Sequence, residues 1–111
     1  MTRMMPDDTL AASDAVVTRE FERAGGAGVR LLVARPEPDP APGGDWRCRH
    51  VILGLGAPVD RYAYGIDGVQ ALGLALEMAR AELEAAGRAG GAVTWLGSAD
   101  LGLPRSLPAS P

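Results

Sequence analysis

One stretch constrains what this chain can fold into: residues 65–87, GIDGVQALGLALEMARAELEAAG, the sole segment long and periodic enough for an extended helix. Asp67 is a strong N-cap type and Gln70 stands three positions on. That is the spacing of a capping box, in which each side chain satisfies a backbone N–H freed by the first turn. Gly87 falls just past the last periodic residue, where glycine adopts a left-handed C′ conformation at least cost. Between the caps, Ala, Leu, Glu and Met carry high helix propensity, and Gly73 is the weak point. At 100° per residue, Val69, Leu72, Ala75, Leu76, Ala79, Leu83 and Ala86 share a face. A second stripe, Ala71, Leu74, Met78, Ala81 and Ala85, lies roughly opposite. One stripe is enough to pack a helix on a sheet. The second needs cover from a loop, a chain terminus or another subunit, so Leu74 and Met78 are candidate interface residues.

The remaining segments read as short strands. Residues 14–24 (DAVVTREFERA) place Val17, Arg19, Phe21 and Arg23 on one face and Thr18, Glu20 and Glu22 on the other, a charge content that fits an edge. Residues 25–28 (GGAG) are turn material leading into a second strand over 29–35. Four prolines make 36–44 (PEPDPAPGG) a loop between strands. Residues 45–55 alternate best, with Trp46, Cys48, His50 and Ile52 pointing one way and Arg47, Arg49, Val51 and Leu53 the other. Residues 59–66 give a short fourth strand carrying Tyr62 and Tyr64, and 92–96 a last one anchored by Trp95. The predicted fold is therefore α+β: an antiparallel sheet of about four to five strands with one long helix packed on one face, in the order β-β-β-(β)-α-β. A disordered leader over 1–13, a single domain over 14–104 and a flexible tail over 105–111 complete the expected organisation.

Charge and composition remove several function classes. The net charge is −3, with 14 acidic residues against 11 basic, which argues against a general nucleic-acid binder. Every one of those basic residues is arginine, a usage read here as a genomic bias. The single cysteine, Cys48, excludes an intrachain disulfide and every multi-cysteine zinc pattern. No segment approaches the roughly 18 consecutive apolar residues that suggest a membrane span. No secretory h-region follows the N-terminus either, so a cytoplasmic chain without a membrane contact is expected.

The run from Trp46 through Cys48, then Gly65-Ile66-Asp67-Gly68-Val69-Gln70-Ala71-Leu72 leading into the helix, and a late Leu-Gly pair resemble a family of small bacterial domains of unknown function. The similarity spans Val16 to Pro104, and its most specific part is a Gly-Ile/Val-Asp-x-Val-Gln-Ala-Leu signature. The resemblance implies the same single-domain α+β fold and lends no activity, cofactor or catalytic residue.

The motifs that invite chemistry are incomplete. Cys48 and His50 share a strand face, but no second cysteine or histidine is present to complete a metal site, and a core cysteine beside a backbone-bonded histidine is the simpler account. Residues 53–58 (LGLGAP) supply Gly-x-Gly after a strand, yet Val59 stands at the third glycine position and no helix begins there, so the segment is a hairpin or bulge. Ser98, Asp100 and His50 form a hydrolase set by inventory alone, without a Gly-x-Ser-x-Gly elbow. Arginines 19, 23, 30, 35, 47 and 49 form a possible anion patch that Glu20 and Glu22 blunt. Two functional expectations follow. The first is a non-enzymatic protein-interaction module, immunity-like or homodimerising, with no cofactor or metal. The second is a ligand-binding protein or enzyme with a pocket near Cys48, His50, Tyr62 and Tyr64.

Overall fold

A computed structural model describes Leu10 and residues 14–105 of the chain. The expectations of a leader over 1–13 and a tail over 105–111 fall, apart from Leu10 and Arg105, outside the described residues. Six strands and one helix follow in the order β1 (Ala15–Arg23), β2 (Val29–Ala34), β3 (Glu37–Pro38), β4 (Trp46–Leu53), β5 (Val59–Gly65), α1 (Gly68–Ala89) and β6 (Val93–Thr94). All pairings are antiparallel, and α1 packs on one face of the sheet: the expected α+β fold.

β4 has the most partners in this sheet, pairing with three strands along its two edges. On one edge Val33 faces His50 and Arg30 faces Leu53, while β3 continues that edge with Glu37 opposite Arg47. β5 takes the other edge over the whole run from Trp46↔Gly65 to Ile52↔Val59. β1 lies outside β2 and is extended by the two residues of β6. The expected loop over 36–44 thus contains a two-residue strand. Pro38 is tolerated there because β3 pairs only with β4, so its missing N–H removes no second ladder bond.

Register sorts the side chains. Phe21, Val29, Leu31, Val33, Cys48, Ile52 and Ala63 fall on the helix-facing side and close the main core with Ala71, Ala75, Ala79 and Leu83. Full burial of a residue such as Ile52 or Leu83 is worth about 1.5–3 kcal/mol relative to exposure. Leu32 and Val51 face the opposite side, where Leu10 packs on them at 7% exposure. A residue expected within the leader therefore belongs to a small second core.

The helix departs from its predicted outline at both ends. Asp67 caps it, its carboxylate accepting the Gln70 N–H at 2.8 Å, but the Gln70 side chain accepts from Ile66 N–H at 2.8 Å, one residue before the cap. Gly87 is not the C-terminal stop. The helix runs on through Arg88 and Ala89, both good helix formers, to Gly90, whose N–H donates to the Ala86 carbonyl. The buried seam is also rotated: Ala71 is fully buried and Val69 is not in the seam. Small residues at four-residue spacing let the helix sit close to the sheet. The two layers come close at Gly65, where an added Cβ would lie 2.6 Å from the Ala71 nitrogen.

Candidate functional site

The sheet separates the four residues expected to share a pocket. Cys48 and His50 point toward the helix, whereas Tyr62 and Tyr64, opposite Arg49 and Arg47, lie on the other face. Both helix-facing residues are sealed in the core at 0% exposure. The Cys48 thiol donates to the Ala34 carbonyl at 3.4 Å, and burial pushes its pKa up to about 11, the opposite of an activated nucleophile. His50 differs from the backbone-bonded histidine expected from sequence, because neither ring nitrogen has a hydrogen-bond partner. Burial lowers its pKa below the ordinary 6.5, the nearby Arg61 lowers it further, and Asp60 opposes both. It is a neutral imidazole in an apolar setting. Ser98 and Asp100 are engaged in a turn, the Asp100 N–H donating to Ser98 Oγ at 3.0 Å and its carboxylate accepting from Gly102 N–H at 2.9 Å. Among the described residues no group of three or more His, Cys, Asp or Glu is placed to hold a metal ion.

The arginines of the sheet split between two tasks. On the outer face they meet carboxylates: Arg30 with Glu20 at 2.6 Å, Arg47 with Glu37 at 2.7 Å, and Arg49 with Asp60 through two contacts of 2.6 and 2.8 Å. Arg47 also lies over the Tyr62 ring, 4.3 Å from its centroid. On the helix face Arg19 and Arg23 hold backbone, and Arg61 meets Glu82 of α1. Arg19 donates to the carbonyls of Leu101 and Gly102 and stacks on Trp95 at 3.8 Å, and Arg23 donates to those of Ala86 and Gly91. Arg80, on the helix, is 4% exposed and donates to Glu84 at 3.1 Å and to the Leu103 carbonyl. Arg19 and Arg80 thus clamp the segment 101–103 against the body of the protein. Of the six arginines of the patch expected from sequence, Arg19, Arg23, Arg30, Arg47 and Arg49 are distributed over carboxylates and carbonyls.

The surface feature that stands out lies at the start of the helix. Ile66 and Val69 are 75% and 82% exposed, among the most exposed large apolar side chains described. Val69 edges an open depression of about 410 Å³, with Leu72, Gly68, Pro36 and the half-buried Trp46 forming the rest of its wall. Its polar contributor, Asp67, already spends a carboxylate oxygen on the Gln70 N–H. A Cβ added at Gly68 would meet both Pro36 and the Trp46 ring at 3.4 Å, so the glycine leaves the space between them open. Sequence reasoning assigned Val69 to the buried stripe and Ile66 to a strand. The signal that was present is the missing staple: an apolar residue just before the cap ordinarily packs on the fourth helical position, which here is the small Ala71.

Leu74 and Met78 are half-buried and pack against the main core. They share a four-residue row with Glu82, which pairs with Arg61 of β5 at 2.5 Å. No helix among the described residues is long and apolar enough to cross a membrane.

A family model for a domain of unknown function, DUF6968, matches residues 17–105 of the chain. No curated protein and no solved structure matches it.

Proposed function

The chain belongs to the DUF6968 family of domains of unknown function, and from that premise we propose that it is a non-enzymatic interaction module of the bacterial cytoplasm. Its partner is a protein that inserts an apolar side chain into the depression at the start of α1. The observation carrying this reading is the pairing of that depression, lined in part by Trp46, with the exposed Val69 in its wall and the exposed Ile66 next in sequence to its Asp67. Clustered apolar surface next to a concavity is what protein contacts use, whereas scattered exposed residues need no explanation. The chemistry of the wall supports a hydrocarbon guest over a phosphate or a metal: the walls are aliphatic and aromatic, and the Asp67 carboxylate is already capping the helix.

The test is Val69→Asp combined with Ile66→Ser, both at exposed positions where substitutions usually change stability by no more than about 0.5 kcal/mol. Crosslinking of the full chain in its native host should yield a defined protein adduct through the depression. The double variant should lose that adduct while keeping its thermal midpoint. An adduct retained at full yield by the double variant removes the depression as the binding site.

A further inference from the structure

The two flanks of α1 are finished differently. On one flank the C-terminal segment provides cover: Leu76, Leu31 and Leu103 share the wall of a cavity of about 230 Å³, and Arg80 holds the Leu103 carbonyl. On the other, the row of Leu74, Met78 and Glu82 runs beside β5, tied to it by the ion pair between Glu82 and Arg61. Among the described residues β5 pairs with β4 alone, so its outer edge meets no strand over seven residues. Edges of that length are usually blunted by proline, lysine or a bulge. β5 has no proline, lysine or bulge; its charges, Asp60 and Arg61, sit toward one end and are paired with Arg49 and Glu82, which leaves Tyr62-Ala63-Tyr64 at its centre in unbroken register with β4.

We propose that a second copy of this chain pairs antiparallel along β5, joining the two sheets and setting the Leu74/Met78 row of each helix against that of the other. Self-complementarity selects a second copy as the occupant. With a two-fold axis at Ala63, Tyr62 faces Tyr64 of the second copy, Arg61 faces Gly65 and Asp60 faces Ile66. No like charges are opposed, and Asp60 and Arg61 keep their own-chain partners Arg49 and Glu82. The helix agrees with the same axis. Gly65 lies against Ala71 and Arg61 against Glu82, so Ala63, midway along the strand, is level with the middle of that helical span, between Leu74 and Met78. The area is small: a strand about 23 Å long, in a two-layer structure about 20 Å thick, buries about 900 Å² in total over both copies, near the roughly 1,000 Å² threshold. That is the lower bound for a specific contact, which fits a reversible dimer.

Sedimentation of the full chain over a range of concentrations, with amide hydrogen exchange at each, tests the proposal. The expected result is a weight-average mass rising toward twice the 11.5 kDa monomer. Exchange at β5 should slow by about tenfold or more as the dimer fills. Leu74→Glu should weaken the dimer by at least about tenfold, because a carboxylate is buried without a partner. Val69→Asp, about 140° and 180° around the helix from Leu74 and Met78, should leave it intact, which keeps this surface separate from the depression. A strict monomer at millimolar concentration overturns the proposal. So does a dimer whose β5 amides exchange as in the monomer, or β5 protection that does not change with concentration. Exchange on the unsubstituted chain decides the matter should Leu74→Glu fail to fold.

Discussion

Protonation of His50 has nowhere to be accommodated: the ring is sealed, both nitrogens lack partners and Arg61 adds repulsion. The unfolded chain takes up that proton near pH 6.5, while the folded chain resists it to a lower pH. Below 6.5 the unfolded state therefore binds more protons, and stability falls with pH by up to about 1.4 kcal/mol per unit until the folded state also protonates. His50→Leu should flatten that dependence and raise stability at pH 7 by about 1 kcal/mol, since an unsatisfied buried polar group is removed. Urea unfolding at pH 7 and pH 5 measures both effects, and an unchanged slope in the variant would show that His50 is not responsible. Leu96 is a second strained residue. It turns the chain with φ at 53°, beside Gly97 at 80°, in a tight hairpin where Trp95 and Ser98 exchange two 2.9 Å bonds. A leucine pays about 1–2 kcal/mol for that left-handed conformation, and 79% exposure returns little packing. Leu96→Gly should gain about 1 kcal/mol in thermal or denaturant unfolding. Alternation around Cys48 and His50 showed in the sequence which face they occupy. It carried no information on whether an acceptor lay within reach of the ring, because that depends on the carbonyls of neighbouring strands and on the helix above.

At the scale of elements, sequence pattern located α1 and five of the six strands described, since apolar spacing reports burial directly. It missed β3, whose two residues have no pattern to detect. It also rotated the helix seam, because alanines weigh little in an apolar stripe although they are what lets a helix approach a sheet closely. The segment after β6 is included in the expected domain up to residue 104 without any sign of what holds it. Its fixed position comes from Arg19 and Arg80 reaching backbone carbonyls more than twenty residues away, which no local pattern encodes. Arg80→Met should accordingly cost about 1.5–3 kcal/mol, the range for a charged hydrogen-bonding group removed from buried partners. The loss should come with faster amide exchange across residues 95–103 and little change in β4. Equal acceleration in both regions would show that Arg80 supports the core generally and is no clamp.

The whole molecule is lopsided. Its β1 side is closed by β6 and by the clamped segment, and its β5 side ends on a strand whose outer edge meets no other among the described residues, with the apolar depression at the start of the helix. Both proposed contacts draw on that asymmetry; Val69 and Leu74 lie on different sides of α1, so Val69→Asp alone and Leu74→Glu let each contact fail without the other. The sealed Cys48 has one more consequence. It is the chain's lone thiol, protonated at neutral pH and out of reach of any reagent while the helix stays seated. A thiol-specific dye therefore reacts only during moments when the layers part. Its labelling rate makes the protein its own stopwatch for opening, with no reporter group introduced.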